Sequence, residues 1–240
     1  DGKNPAPALK MMIEKDDGRD LRQVAFLDNL GNVSAFTGQK CISFAGDKTG
    51  AGFSVQANMM LTNEVVPAMA KAFSENSSLP LAERVIKTLK AAQAAGGDIR
   101  GKQSAVLIVV GGKKVDQPWL DKKIDLRVDD SDEPLVELER LLKVHRAYEH
   151  MNKGDLAVEK NDMTTALKEY DEASKMFPDN NEMKYWKAIA LANNNRLAEA
   201  LPIFKNIFVS DRNWKELTRR LPSVGLLSIP DKDLKMILDL

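Results

Sequence analysis

Only one cysteine, Cys41, occurs among 240 residues, so no disulfide can form within the chain. That scarcity says little about compartment, since many exported proteins also do without disulfides. Charge of one sign is not in excess: Lys plus Arg and Asp plus Glu number 35 each. No global field is then available to hold a polyanion, and nucleic acid is not expected as a partner. No apolar run approaches the roughly 18 residues of a membrane span, and the chain reads as soluble. No secretory leader precedes Asp1, which is equally true of a chain whose start has been removed, so localisation stays open, export included. What is present is a 43% apolar composition. That suffices for one large domain or two small ones with a real core, and excludes disorder of the whole chain.

Asn4 and Pro5 open a short helix with Leu9, Met12 and Ile13 on one face, stopped by Asp16, Asp17 and Gly18. Residues 23–28 and 33–37 are β-prone runs around turn residues at 29–32 and read as a hairpin. Residues 41–45 and 53–56 read as two more extended segments, giving a sheet of four strands. Asn63 is the expected N-cap of a helix carrying Val66, Met69, Ala70 and Phe73. Pro80 opens another, stacking Leu81, Val85, Ile86 and Leu89 before Gly96 and Gly97 end it. Residues 105–110 are uninterruptedly apolar, the pattern of a strand buried on both faces, and 124–128 supply an alternating partner. Strands, two helices, then strands is the order of a layered α+β sandwich rather than of a parallel doubly wound sheet. Beyond Glu133 no strand signal remains. Pro134 opens a helix carrying Leu135, Leu138, Leu141 and Leu142, the expected bridge between two units.

In the last third, Gly154 matches Ala188, Ala166 matches Ala200 and Tyr170 matches Phe204, a spacing of about 34 residues. Ala173 and Pro178 add two further positions in the first copy. The pattern is one of packing: a small residue where two helices cross, and an aromatic filling the gap between them. The stretches NDMTTALKEYDEASKMFPDN and NNRLAEALPIF resemble the tetratricopeptide repeat. His150 stands where that pattern prefers Trp, and Lys153 and Lys187 where it prefers Leu, which weakens the first helix of each pair. Two copies are fewer than the roughly three such units need. The bridge helix is expected to cover one end, and residues 214–221 and 231–238 the other.

Several motifs invite chemistry. GGDIRGKQ, residues 96–103, is one residue short of a phosphate-binding loop, with Gln103 in the place of a magnesium-binding hydroxyl. It leaves a helix and enters a strand, the reverse of what such a loop needs. It reads instead as a helix-ending loop with Asp98 paired to Arg100 or Lys102. DLRVDDSDEP, residues 125–134, lacks the glycine and final glutamate of a calcium loop; Asp130, Ser131 and Asp132 are expected to cap the helix at Pro134. His145 and His150 are five apart, about 140° around a helix, and cannot ligate together as i, i+4 pairs do. Cys41 reads as a buried small hydrophobe and Ser104 as a satisfied hydroxyl. No cofactor and no metal are expected.

DDGRDLRQVAFLDNLGNVSAFTGQKC, AGFSVQANMML, PLAERVIKTLKAAQAAGGDIRGKQSAVLIV and IDLRVDDSDEP together resemble a family catalogued as domain of unknown function 1028. The likeness runs from about residue 8 to about residue 142. It implies a partial Ntn-hydrolase-like αββα sandwich at residues 1–144, followed by a tetratricopeptide-like helical module at 145–240. The LRVDDH motif of the family reads here with Ser131 for the histidine. Family domains also begin with further strands and a helix before Leu9. An Ntn nucleophile is an amino-terminal Ser, Thr or Cys activated by its own amine, a part Asp1 cannot play. The resemblance therefore implies a nucleophile in a missing amino-terminal segment, one source of which is a separate chain. It implies an amide-bond hydrolase or its inactive relative when complete, and a chain that is catalytically silent alone. The substrate-binding candidates are Asp98, Arg100, Gln103, Ser104, Arg127 and Asp129, orienting a substrate and recognising an oxyanion or carboxylate. The repeats imply a protein or peptide partner. The rival reading is a non-catalytic assembly scaffold that works through the groove of those repeats.

Overall fold

In the computed structural model, which describes residues 3–240, the Asn4 side chain accepts a hydrogen bond from the Ala6 amide and Pro5 takes the first helical position. They start α1 (Pro5–Glu14), which buries Leu9 and leaves Met12 exposed. The carboxylate of Asp28 accepts the Leu30 and Asn32 amides while Gly31 adopts φ +82°. That turn joins β1 (Gln23–Leu27) to β2 (Val33–Thr37), antiparallel with Ala25 opposite Ala35. The third strand does not lie where the apolar residues suggest. It is the polar β3 (Gly46–Gly50), paired with β4 (Phe53–Ala57). A Cβ at Gly50 would stand 2.1 Å from the Phe53 ring, so any larger residue there would have to displace that ring. Residues 41–45 are irregular chain that bonds through Ile42 and Phe44 to the backbone of Met59 and Met60. Cys41 is half-buried rather than buried, its Sγ donating to the Arg22 carbonyl at 3.5 Å.

The four strands form two separate two-stranded sheets, not one sheet of four. A polar side chain ties the hairpins: Gln23 Nε2 lies within hydrogen-bond distance of Thr37 Oγ1, Gly46 O and Ala57 O, and Gln23 Oε1 accepts from Asn58. Such a shared amide satisfies edge groups that a continuous ladder would otherwise pair. Next come α2 (Val65–Glu75) and α3 (Leu81–Ala94). Thr62, not Asn63, receives the amide before α2, accepting from Glu64 at 3.3 Å. On α3, Leu81 faces solvent, and Ala82, Ile86 and Thr88 form the buried stripe. Gly97 returns its amide to the Ala92 carbonyl, with Gly96 and Gly97 at positive φ, and ends α3 where the glycines predict.

The antiparallel pair β5 (Ala105–Val110) and β6 (Lys122–Val128) turns Leu107, Ile124 and Val128 into a core with Ala82, Ile86, Leu138 and Leu142. Its other face is open. Val106, Ile108 and Val110 are 45%, 46% and 58% exposed, so the strand is buried on one face only. From Pro134 a single helix, α4 (Pro134–Glu159), runs 26 residues, so the expected bridge and the first helix of the repeats are one helix. No proline falls inside it after its first residue, and Gly154 is accommodated because a Cβ there would meet the Tyr170 ring at 2.6 Å.

Contacts divide the chain into Asp1–Leu142 and Lys143–Leu240. In the second unit follow α5 (Met163–Met176), α6 (Glu182–Asn193), α7 (Leu197–Ser210), α8 (Asn213–Arg220) and α9 (Asp231–Leu238). The matched positions are its core: Ala166, Ala188, Ala200 and Phe204 are fully buried and Tyr170 almost so. Phe204, Phe208 and Tyr185 pack with Leu221, Leu227 and Ile237, so α8, α9 and their connection close the end assigned to them.

Candidate functional site

An open cleft of about 510 Å³ in the first unit gathers four of the six candidates, Asp98, Arg100, Gln103 and Ser104. Its floor follows from the end of α3. Gly97 leaves the helix with φ +63°, and a Cβ there would lie 2.7 Å from the Gln93 amide, which also lines the cleft. The chain then turns at Asp98, whose carboxylate accepts the Arg100 amide at 2.8 Å and the guanidinium at 3.0 and 2.7 Å. The pairing expected for Asp98 is thus made with Arg100. That guanidinium, first by its hydrogen bonds, holds the Asp98 carboxyl below the usual carboxylate range and is itself raised. Lys102 pairs with Glu133. The Ser131 amide donates to Gln103 O at 2.8 Å, and Ser131 Oγ accepts the Glu133 amide at 3.1 Å. Of the three residues expected to cap α4, only Ser131 bonds to its entry; Asp130 and Asp132 stay exposed.

Arg127 and Asp129 do not join the cleft. Arg127 lies on the exposed face of β6, bound to Asp125 at 2.8 Å, and Asp125 also receives Lys122 at 2.6 Å. These two cations, Lys122 first, depress the Asp125 carboxyl. Asp129 is exposed just past the strand. Ser104 lies exposed on the cleft wall, and among the described residues its hydroxyl has no protein partner. Asp1 lies outside the described residues. Gln93 and Lys102 were missed as cleft residues, although Gln93 falls one helical turn before the glycines that were singled out. What the cleft offers chemically is a set of amide, hydroxyl, ammonium and guanidinium donors beside one carboxylate, Asp98, which is bound to Arg100.

The second unit carries a groove of about 290 Å³ between α4 and α6. Val158, Trp186, Ile189 and Ala190 line it, and the carboxylates of Asp155 and Glu159 stand on its α4 side. Asp155 accepts the Tyr170 hydroxyl at 2.7 Å; burial, then this bond, pushes the Tyr170 phenol up. Asn193 holds the closing loop, bonding Leu226 O at 3.0 Å and the Ser228 amide at 2.8 Å. The repeat pattern located these helices, while Leu226 lies beyond its period and gave no signal. His150 Nδ1 meets Glu169 at 2.7 Å and His145 Nε2 lies 3.6 Å from Glu149, so each histidine faces a different carboxylate.

An α+β unit of small antiparallel sheets followed by paired helices of tetratricopeptide type defines the class of protein. Residues 1–138 match a family of unknown function, DUF1028, and residues 151–207 match the tetratricopeptide repeat. The chain belongs to the DUF1028 family. A crystal structure of a protein from Silicibacter pomeroyi, described by the same family, is 33% identical with a TM-score of 0.51. The match covers 59% of this chain and 60% of that one, so the chain spans about three fifths of that relative. No curated protein matches the chain. Among the described residues no helix is long and apolar enough to cross a membrane.

Proposed function

We propose that the chain is a protein-binding member of its family, holding a peptide segment of its partner in the groove between α4 and α6, with residues 145–240 as the repeat domain. The observation that carries this reading is the groove itself: half-buried Trp186 and Val158 and exposed Leu226, over a floor of buried Ile189 and Ala190, on a repeat type that commonly mediates protein contacts. A photo-crosslinking residue placed at Leu226 tests it in cells of the native source. A single protein adduct is expected, lost when Trp186→Ala and Val158→Asp, changes at half-buried lining positions, are introduced together. An adduct pattern indifferent to those changes would sink the reading.

A second reading concerns residues 1–144 as an Ntn-hydrolase-like domain, active on amide bonds in the complete protein. What favours it is the convergence of Asp98, Arg100, Gln103 and Ser104 on one cleft. Arg100 and Gln103 would orient a carboxylate or amide, Asp98 would hold Arg100 in place, and Ser104 would add a donor. The nucleophile this chemistry requires, a terminal Ser, Thr or Cys with a free amine, is supplied by none of them. The chain alone is therefore expected to be silent on a panel of amides and esters. Turnover by the purified chain, undiminished on repurification, would overturn this assignment.

A further inference from the structure

A second cleft in the first unit, about 430 Å³, lies between the β3–β4 hairpin and the helices α2 and α3. Three cations line it, each from a different element: Lys48 of β3, Lys71 of α2 and Arg84 of α3. No carboxylate does. In a chain of zero net charge this is a local concentration, not a reflection of the whole. Thr49 and Ser74 add hydroxyls, and the Phe53 ring forms part of the wall.

The cations are poorly compensated by the protein. Lys71 has only Glu75, at the 4.0 Å limit and with both side chains mostly in solvent. Among the described residues Lys48 and Arg84 enter no ion pair. Arg84 is nonetheless fixed: its Nε donates to Phe73 O at 2.6 Å and its guanidinium carbon lies 3.6 Å from the Phe73 ring centroid. Phe73 in turn packs against Phe53 at 4.6 Å. Its terminal guanidinium nitrogens are left available, held by a side chain that has already lost its freedom.

We propose that this cleft binds the phosphoryl group of a small phosphate monoester. Cations from three directions, with two hydroxyl donors, answer three terminal oxygens and a charge near −2. A carboxylate, with two coplanar oxygens and one charge, would be met by Arg84 alone. The Phe53 wall gives the organic part of the ester an apolar surface. The site is independent of the Asp98 cleft and of the helical groove.

Calorimetric titration of the full chain at low ionic strength tests this, with phenyl phosphate and inorganic phosphate as probes and benzoate and acetate as controls. Phenyl phosphate should bind saturably and more tightly than inorganic phosphate. Lys48→Met and Lys71→Met should each weaken it about tenfold, while Lys235→Met, in the second unit, should leave it unchanged. Both lysines are exposed, so these variants keep the fold, whereas Arg84→Gln also loses the Phe73 contact and is read beside its melting point. Any of three results overturns the proposal: no saturable heat with either phosphate, equal binding of benzoate, or affinity undiminished in the Lys48→Met/Lys71→Met double variant.

Discussion

Gly154 shows how one residue carries two opposed demands. Glycine inside a helix costs about 1 kcal/mol against alanine, so Gly154→Ala would stabilise a bland helix. Here the added Cβ would sit 2.6 Å from Tyr170 Cε1, with the ring held by its bond to Asp155. The expected outcome is a net loss of about 1–3 kcal/mol from overpacking. It should largely vanish when Tyr170→Leu is added, which a denaturant double-mutant cycle measures. Asn161 and Asn195 obey the same period by a different route. Both take φ 58°, and the amides after them return to Ala157 O and Leu191 O at 2.9 Å each. These are matched left-handed ends of α4 and α6, where asparagine tolerates what a branched or methyl side chain does not. Asn161→Ala should cost about 1 kcal/mol and Asn161→Gly close to nothing; equal midpoints for the two variants would remove this account.

At the scale of elements, burial of Tyr185 joins α6 to α8. Its hydroxyl shares a 2.8 Å hydrogen bond with Thr218, which also donates to Trp214 O, and its ring packs 4.7 Å from Trp214. Burial is the main cause that pushes its phenol up to about 12. A folded-state value above the unfolded one of about 10 means that the neutral phenol is favoured by folding. That contribution is intact below pH 10 and is lost as pH rises toward 12. Tyr185→Phe should therefore flatten the fall of stability across that window by up to about 1.4 kcal/mol per pH unit; an unchanged slope would show the ring to be free to ionise. The elements most legible in sequence were those with a 3.6-residue stripe and glycine or proline punctuation, such as α1, α3 and the repeat helices. β3 lies elsewhere than expected because its Gly-Asp-Lys-Thr-Gly run has no apolar alternation, and the Phe53 ring packs over Gly50 in the pair it forms with β4. β5 was read as buried twice over because an apolar run does not say how many faces are covered. The Asp98 cleft was legible through its glycines and the Asp98–Arg100 spacing. Lys48, Lys71 and Arg84 were not, since only the fold brings three distant segments together.

For the whole molecule, the question raised by two repeat copies is what completes them. The sequence leaves the repeats dependent on a bridge helix, with Lys153 and Lys187 as weak points. In the structure Lys153 is exposed and Lys187 pairs with Asp171, so neither disturbs the core. The α8–α9 segment completes one end through Leu221, Leu227 and Ile237. At the other, the dependence narrows to the few residues of α4 at the head of the second unit. Ala147 is fully buried with Met151, Ala166, Tyr170 and Met183, and Lys143 Nζ lies 4.9 Å over the Phe177 ring. A fragment of residues 143–240 retains both contacts, whereas one starting at Tyr148 loses them together with a full turn of helix. The longer fragment should unfold in one cooperative transition. The shorter should be weaker by about 2 kcal/mol, from the lost cation–π contact, buried methyl and helical turn, a drop of about 10 °C in melting point for a unit of this size. Circular dichroism melts of the two decide the matter. Equal midpoints would mean that the repeats close on themselves without the head of α4, and a longer fragment with no cooperative transition would mean that they need more than it.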